Sequence, residues 1–455
     1  MANVTLIDRE IIRNQLQAIT TDMGVTLTKA AQAPEVSEGR DCAVAIVDRS
    51  GDVVATDNPL QLGSLAETAA SVLDYFKFDM KDGDIVLVSD PYHGGIHVQD
   101  FTLLMPLVLD NVIMLYLMAR AHMPDIGGQV AGSYFPTATE VWVEGVPITP
   151  VKLYRYDRPV RDILTTTLLN SRQPEATRRN LDALVATLEV GKRRMLELID
   201  SYQPRGVQVG MEYTLDYAER FLRSEIASWD EGQFSGERRL DHDCNGESVM
   251  VHVTATVGGD QLELDFSRSD DQRGSFINST RGNTISLALL PLLALLDENV
   301  PKNSGLLRAV RIATRPGTVV HARFPAAVGW SHLHCGSEIA EAVAAALRQA
   351  VGRPLGTVSV PRIMVSSRAS VQDKDRVDFS PWAIGGCGGL ADRDGWGLPH
   401  SVSRAVLPSV ERWESDHGLR IEQMEFVPDS AGAGQWRGAP AVETTITIPS
   451  GHLFT

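Results

Sequence analysis

Two apolar runs, Phe101 to Leu109 and Val112 to Ala121, are separated by nothing but Asp110-Asn111, and this spacing constrains the chain more than any other feature. Two residues can reverse a chain only as a tight turn between antiparallel strands, because parallel strands need a crossover of a dozen residues or more. Asp and Asn suit that turn, since their short polar side chains tolerate left-handed backbone. Cys42 to Asp48 and Val53 to Thr56 form a second hairpin turning at Gly51, and Asp84 to Ser89 is a further Val/Ile/Leu-rich strand. A doubly wound, parallel nucleotide-binding sheet is therefore not the expectation.

Helical spacing appears elsewhere. Ile11, Leu16, Ile19, Met23 and Leu27 predict an opening helix from about Ile7 to Gln32, stopped by Pro34. Helix-favouring residues run from Arg161 to Ser201 and from Met211 to Trp229. Glu247 to Val257 and Gln261 to Phe266 flank Gly258-Gly259-Asp260 as a hairpin, while Thr284 to Leu296 and Ser337 to Val351 read as helices. The remainder reads as short strands and Gly/Pro-rich loops, and His332 and His334 alternate as in a strand. The expected class is α+β, multi-domain, with mainly antiparallel sheets and a central helical block: an α+β region 1–160, helices over 161–235 and a second α+β region 236–455.

Composition narrows the partners. A formal charge of −16 without any basic run argues against nucleic acid or anionic lipid, both of which need clustered Lys and Arg. No apolar run approaches the roughly 20 residues of a membrane span, and the start lacks the basic and apolar segments of a signal peptide, so the cytoplasm is the expected compartment. Cys42, Cys244, Cys335 and Cys387 are too scattered for a zinc finger or a disulfide framework. There is no Gly-x-x-x-x-Gly-Lys-Ser/Thr loop, and Gly385 to Gly389 lacks the strand and helix context of a dinucleotide site.

Chemistry concentrates in Ser89-Asp-Pro-Tyr-His-Gly-Gly-Ile-His-Val-Gln-Asp100, a strand end entering a Gly-rich loop, and in Ala119-Arg-Ala-His-Met-Pro-Asp125 at the end of the hairpin. Imidazole nitrogen together with carboxylate oxygen suits a divalent ion such as Zn, Mn or Fe(II). Hydrogen-bonding loop roles for His93, His97 and His122 are the simpler alternative.

These segments, with Glu38-Gly-Arg-Asp-Cys-Ala-Val-Ala-Ile, Asp125-Ile-Gly-Gly, Glu144-Gly-Val-Pro-Ile-Thr-Pro-Val-Lys-Leu, Asp265-Phe-Ser, Asn303-Ser-Gly, Pro325-Ala-Ala-Val and Pro428-Asp-Ser-Ala-Gly-Ala-Gly-Gln-Trp-Arg-Gly, resemble the hydantoinase B family in order along almost the whole chain. That family includes subunits of hydantoinases, 5-oxoprolinases, caprolactamase and acetone carboxylase. Carried over by motif, the resemblance implies Asp41, His97, Asp100 and His122 as metal ligands, with His93 and Asp125 as proton-transfer, supporting or loop-shaping groups. It gives His332 and His334 no ligand role. It also implies a hetero-oligomer, in which an A-type subunit carrying ATP and Mg phosphorylates a small-molecule substrate and this B-type subunit hydrolyses the activated cyclic amide. Ketone carboxylation in the same manner is the first alternative, and a non-catalytic structural paralogue the second. Two segments depart from the family pattern, His122-Met-Pro-Asp125 and Arg179-Asn-Leu-Asp-Ala-Leu184, which fits a divergent substrate pocket or such a paralogue.

Overall fold

The computed structural model describes residues 4–77, 79–352, 355, 362–368, 377–384, 386–390, 392–397, 409–417, 420–447 and 453–454. Its centre is a seven-stranded sheet made of β1 (Cys42–Asp48), β2 (Val53–Thr56), β3 (Ile85–Val88), β4 (Asp100–Leu109), β5 (Val112–His122), β6 (Val151–Arg155) and β7 (Arg158–Pro159), in the order β2-β1-β5-β4-β3-β6-β7. Every neighbouring pair in it is antiparallel. The β4–β5 turn takes positive φ at both Asp110 (50°) and Asn111 (62°), the backbone a two-residue hairpin demands.

The apolar runs are nearly continuous because both faces of this sheet are covered. On one face lie the opening helix Leu6–Ala30, capped by Thr5 and Asp8, and the helix Pro174–Ile226; Ile12, Leu16, Ile19, Met23 and Leu27 are wholly or almost wholly buried there with Val44, Ile46, Leu103 and Leu117. On the other face, Ala43, Ala45, Leu104 and Met118 meet the helix Leu62–Tyr75, and this core runs on without a break through the helices Arg281–Leu293 and Gly336–Val351. Those helices in turn rest on a second sheet of β8 (Gly232–Leu240), β9 (Val249–Gly258), β10 (Gln261–Asp265) and β11 (Val310–Ala313), antiparallel except for β10–β11. Helices and mainly antiparallel sheets thus alternate in layers. No helix among the described residues is long and apolar enough to cross a membrane.

Several elements differ from the sequence reading. The two predicted helices between 161 and 229 are a short helix, Arg161–Leu169, and the long Pro174–Ile226, broken where Gln203 adopts φ 61° before Pro204. The helix Leu62–Tyr75 was not foreseen, although Leu62, Leu65, Ala69 and Val72 carry its buried stripe. The stretch 330–335, expected as a strand from its alternating histidines, is a series of turns leading into the helix Gly336–Val351. Burial still alternates along it, with Ser331, Leu333 and Cys335 buried and His332 and His334 partly exposed, so a period of two that reads as a strand is carried here by successive turns.

Candidate metal centre

Asp41, Asp100 and His122 arrive together because they mark one end of three adjacent strands. Asp41 immediately precedes β1, Asp100 opens β4 and His122 closes β5, with Asp100 and His122 as direct cross-strand partners. The His122 amide donates to the Asp41 carbonyl at 3.2 Å. His97 enters from the loop before β4, whose consecutive carbonyls are tied from three directions: Ser64 Oγ donates to Gly94 O (2.7 Å), Thr280 Oγ1 to Gly95 O (2.6 Å) and Ser331 Oγ to Ile96 O (3.0 Å). Gly94 is required here, since its φ is 89° and a Cβ would meet the Thr68 amide at 2.3 Å.

His97, Asp100 and His122 form a buried cluster in which one ligand atom from each lies within 4.8 Å of the others. His97 Nδ1 is 3.4 Å from Asp100 Oδ2, and His122 Nδ1 is 3.7 Å from Asp100 Oδ1. Asp41 stands alongside, its Oδ2 3.8 Å from His122 Nδ1. His97 Nδ1, Asp100 Oδ2 and His122 Nδ1 are all buried without a hydrogen-bond partner. Such an atom costs about 1–3 kcal/mol, so three converging ones fit a bound cation better than a packed core. Burial drives the His97 imidazole down to about 4, leaving it neutral at pH 7 with a lone pair to give. Burial also opposes ionisation of Asp100, but His97, His122 and Arg120 outweigh it and hold the carboxyl below its ordinary range. His122 moves the other way: burial lowers it, yet the adjacent carboxylates of Asp100 and Asp41 raise it overall.

Sequence reasoning passed over two features of the site. Arg120, on the same face of β5 as His122 and one cross-strand pair inward, is fully buried, and its guanidinium donates to neutral groups: Thr102 Oγ1 (2.8 Å), Ser64 Oγ (2.6 Å), Thr68 Oγ1 (2.9 Å) and Gln61 Oε1 (3.3 Å). Its charge faces the carboxylates from within; the clue in the sequence was a lone Arg at an inward position of an otherwise apolar strand. The second is a ring wall. Tyr134 stacks on His122 (6.1 Å, 9°), while His332 meets His97 edge to face at 4.8 Å. His332 therefore belongs to the site's surroundings. His334 instead pairs with Glu338 at 3.2 Å.

His93 and Asp125 are engaged elsewhere. His93 contacts Ser71 Oγ (2.7 Å) and Thr149 Oγ1 (3.3 Å) through its two ring nitrogens. The fully buried Asp125 carboxylate accepts from the amides of Gly127 (3.1 Å), Gly132 (3.1 Å) and Arg172 (2.7 Å) and from Arg172 Nη1 (3.0 Å), which fixes the loop leading to Tyr134.

The chain as a whole has relatives. The chain is 27% identical to the beta chain of the caprolactamase of Pseudomonas jessenii over 470 residues, covering 100% of this chain and 80% of that one. It is 25% identical to the B-type chain of a putative D-/L-hydantoinase of a Pseudomonas species, covering 94% and 76%. The crystal structure of ATP-dependent caprolactamase from Pseudomonas jessenii superposes with a TM-score of 0.90 over 98% of this chain and 78% of that chain, at 25% identity. Acetone carboxylase, at 17% identity and a TM-score of 0.85 over 99% of this chain and 64% of that one, shares the fold. With a family match running from residue 5 to residue 453, the chain belongs to the hydantoinase B/oxoprolinase family.

Proposed function

We propose that this chain is the metal-carrying B-type subunit of an ATP-dependent cyclic-amide hydrolase, acting on an intermediate phosphorylated by an A-type partner. The observation that carries the reading is the buried His97, Asp100 and His122 cluster, whose facing atoms find no hydrogen bond within the protein. The names of its relatives, one chain of a caprolactamase and one of a hydantoinase, support the amide class.

His97, Asp100 and His122, with Asp41 beside them, would hold a divalent ion of the Zn, Mn or Fe(II) kind. Such an ion supplies Lewis acidity toward an oxygen that gains negative charge. The protein does the rest. Neutral His97 and ionised Asp100 are in the protonation states that ligation needs. Arg120 balances the carboxylates from inside, and the Tyr134 ring covers one side of His122. Nucleotide binding is assigned to the partner, because this chain carries no phosphate-binding loop in its sequence.

Reconstitution tests the reading. The purified chain alone should hydrolyse neither ATP nor a lactam or hydantoin, and adding the A-type partner should produce both activities in step. Robust ATP turnover by the isolated chain would overturn it. Incorporation of labelled bicarbonate into a ketone, without ring opening, would replace hydrolysis by carboxylation.

A further inference from the structure

The His97, Asp100 and His122 cluster is buried, each residue no more than 4% exposed, so a ligand must reach it past something. Among the rings in contact with His97 or His122, Tyr134 and His332 are partly exposed, and so is Trp330, which touches both of them. Distances between ring centroids are 6.4 Å for Tyr134–His332, 5.3 Å for Tyr134–Trp330 and 6.0 Å for Trp330–His332. The three form one continuous aromatic surface bordering the cluster.

That surface is held rigidly. Trp330 stacks on Phe276 (5.3 Å, 16°), and its amide donates to the Phe276 carbonyl at 2.9 Å. The amides of Val328 and Gly329 donate to the two oxygens of buried Glu144, at 3.0 and 2.6 Å. Ser331 is clamped on both sides, donating to Ile96 O and accepting from Asn283 Nδ2 at 2.8 Å. Fixing this turn fixes His332 against His97. Of these anchors, the bond from Ser331 Oγ to Ile96 O ties the turn directly to the loop that carries His97.

We propose that His332 is a specificity-determining residue, which with Trp330 forms the face that contacts the body of a ligand held by its oxygen atoms at the cluster. This rests on the metal reading above. The chemistry of the surface, flat π faces with one polar imidazole, favours a planar ligand body over a small aliphatic one.

The test uses the full chain loaded with Co(II), titrated at fixed pH with benzohydroxamate and acetohydroxamate while the cobalt absorption bands are followed. Both probes present the same chelating group, so the ratio of their dissociation constants isolates the contact with the planar body. The wild type should prefer benzohydroxamate. His332→Ala should lose about two- to tenfold of that preference, the range of one aromatic contact, with cobalt content and acetohydroxamate affinity unchanged. Trp330→Ala should act in the same direction, and His334→Ala should change nothing. An unaltered ratio in both His332→Ala and Trp330→Ala would overturn the inference alone, and loss of cobalt from His332→Ala would make His332 a ligand instead. A wild-type chain that takes up no cobalt would overturn the metal reading itself.

Discussion

Asp100 and His122 face each other across the β4–β5 hairpin as its outermost cross-strand pair, with Asp100 Oδ1 and His122 Nδ1 3.7 Å apart. The pairing register thus builds half of the site: slipping β5 by one residue against β4 would leave His122 on the face of the sheet opposite Asp100. The next inward pair on this face, Thr102 and Arg120, places a buried cation directly behind them.

Replacing His97 or Asp100 with Ala should lower metal affinity on the order of 100-fold or more, since even supporting residues of metal sites contribute 10- to 100-fold. Elemental analysis after dialysis against a defined metal buffer checks this. Folding should persist, because a core of this extent does not hang on one ion. Unchanged metal content in both variants would show the ligand assignment to be wrong.

Arg120→Met should raise the pH at which metal uptake is half complete, because Arg120 is one of the charges that hold the Asp100 carboxyl low. It should also lower unfolding free energy by at least about 2 kcal/mol, since Ser64, Thr68 and Thr102 lose a buried donor. Urea denaturation and pH-dependent dialysis measure the two effects, and Arg120→Lys should recover part of the first. A metal-uptake midpoint that stays put in Arg120→Met would remove Arg120 from the electrostatics of the site.

Burial pushes the Glu144 carboxyl up to about 8, against the opposing hydrogen bonds from Val328 and Gly329. An acid with a raised folded pKa holds its proton where the unfolded chain has lost it. Its contribution to stability therefore declines as pH rises from about 4.5 toward 8. In Glu144→Gln this part of the slope should vanish, and the pH dependence of thermal unfolding should flatten over that window. Identical slopes for wild type and variant would contradict the assignment.

Asp125→Ala should destabilise the chain by at least about 2 kcal/mol, as it leaves buried amides and the Arg172 guanidinium without their acceptor. Thermal melting would register this even without metal. If Asp125 acts in proton transfer, Asp125→Asn should abolish turnover by the reconstituted complex while keeping the fold; if it shapes the loop to Tyr134, turnover should fall only in proportion to stability.

Much of this protein was legible locally. Asp110-Asn111 determined the hairpin and the spacing of Leu16, Ile19, Met23 and Leu27 the opening helix, although Ile11, counted with them, is exposed and Ile12 is buried in its place. Turn chemistry and periodicity act over a few residues, whereas the candidate ligands were legible only through the family resemblance of their motifs. The tertiary structure alone decided what stands around them. Ser331 reaches Ile96 from 235 residues away, and His332 follows it onto His97. Nothing within the run Trp330-Ser-His-Leu-His-Cys distinguishes His332 from His334; one lies against the site and the other pairs with Glu338 because a turn, rather than a strand, presents them in different directions. Likewise, the hydroxyl shell that makes a buried Arg120 tolerable is assembled from the helix Leu62–Tyr75, its preceding turn and β4, and such convergence leaves no periodic trace in a linear sequence.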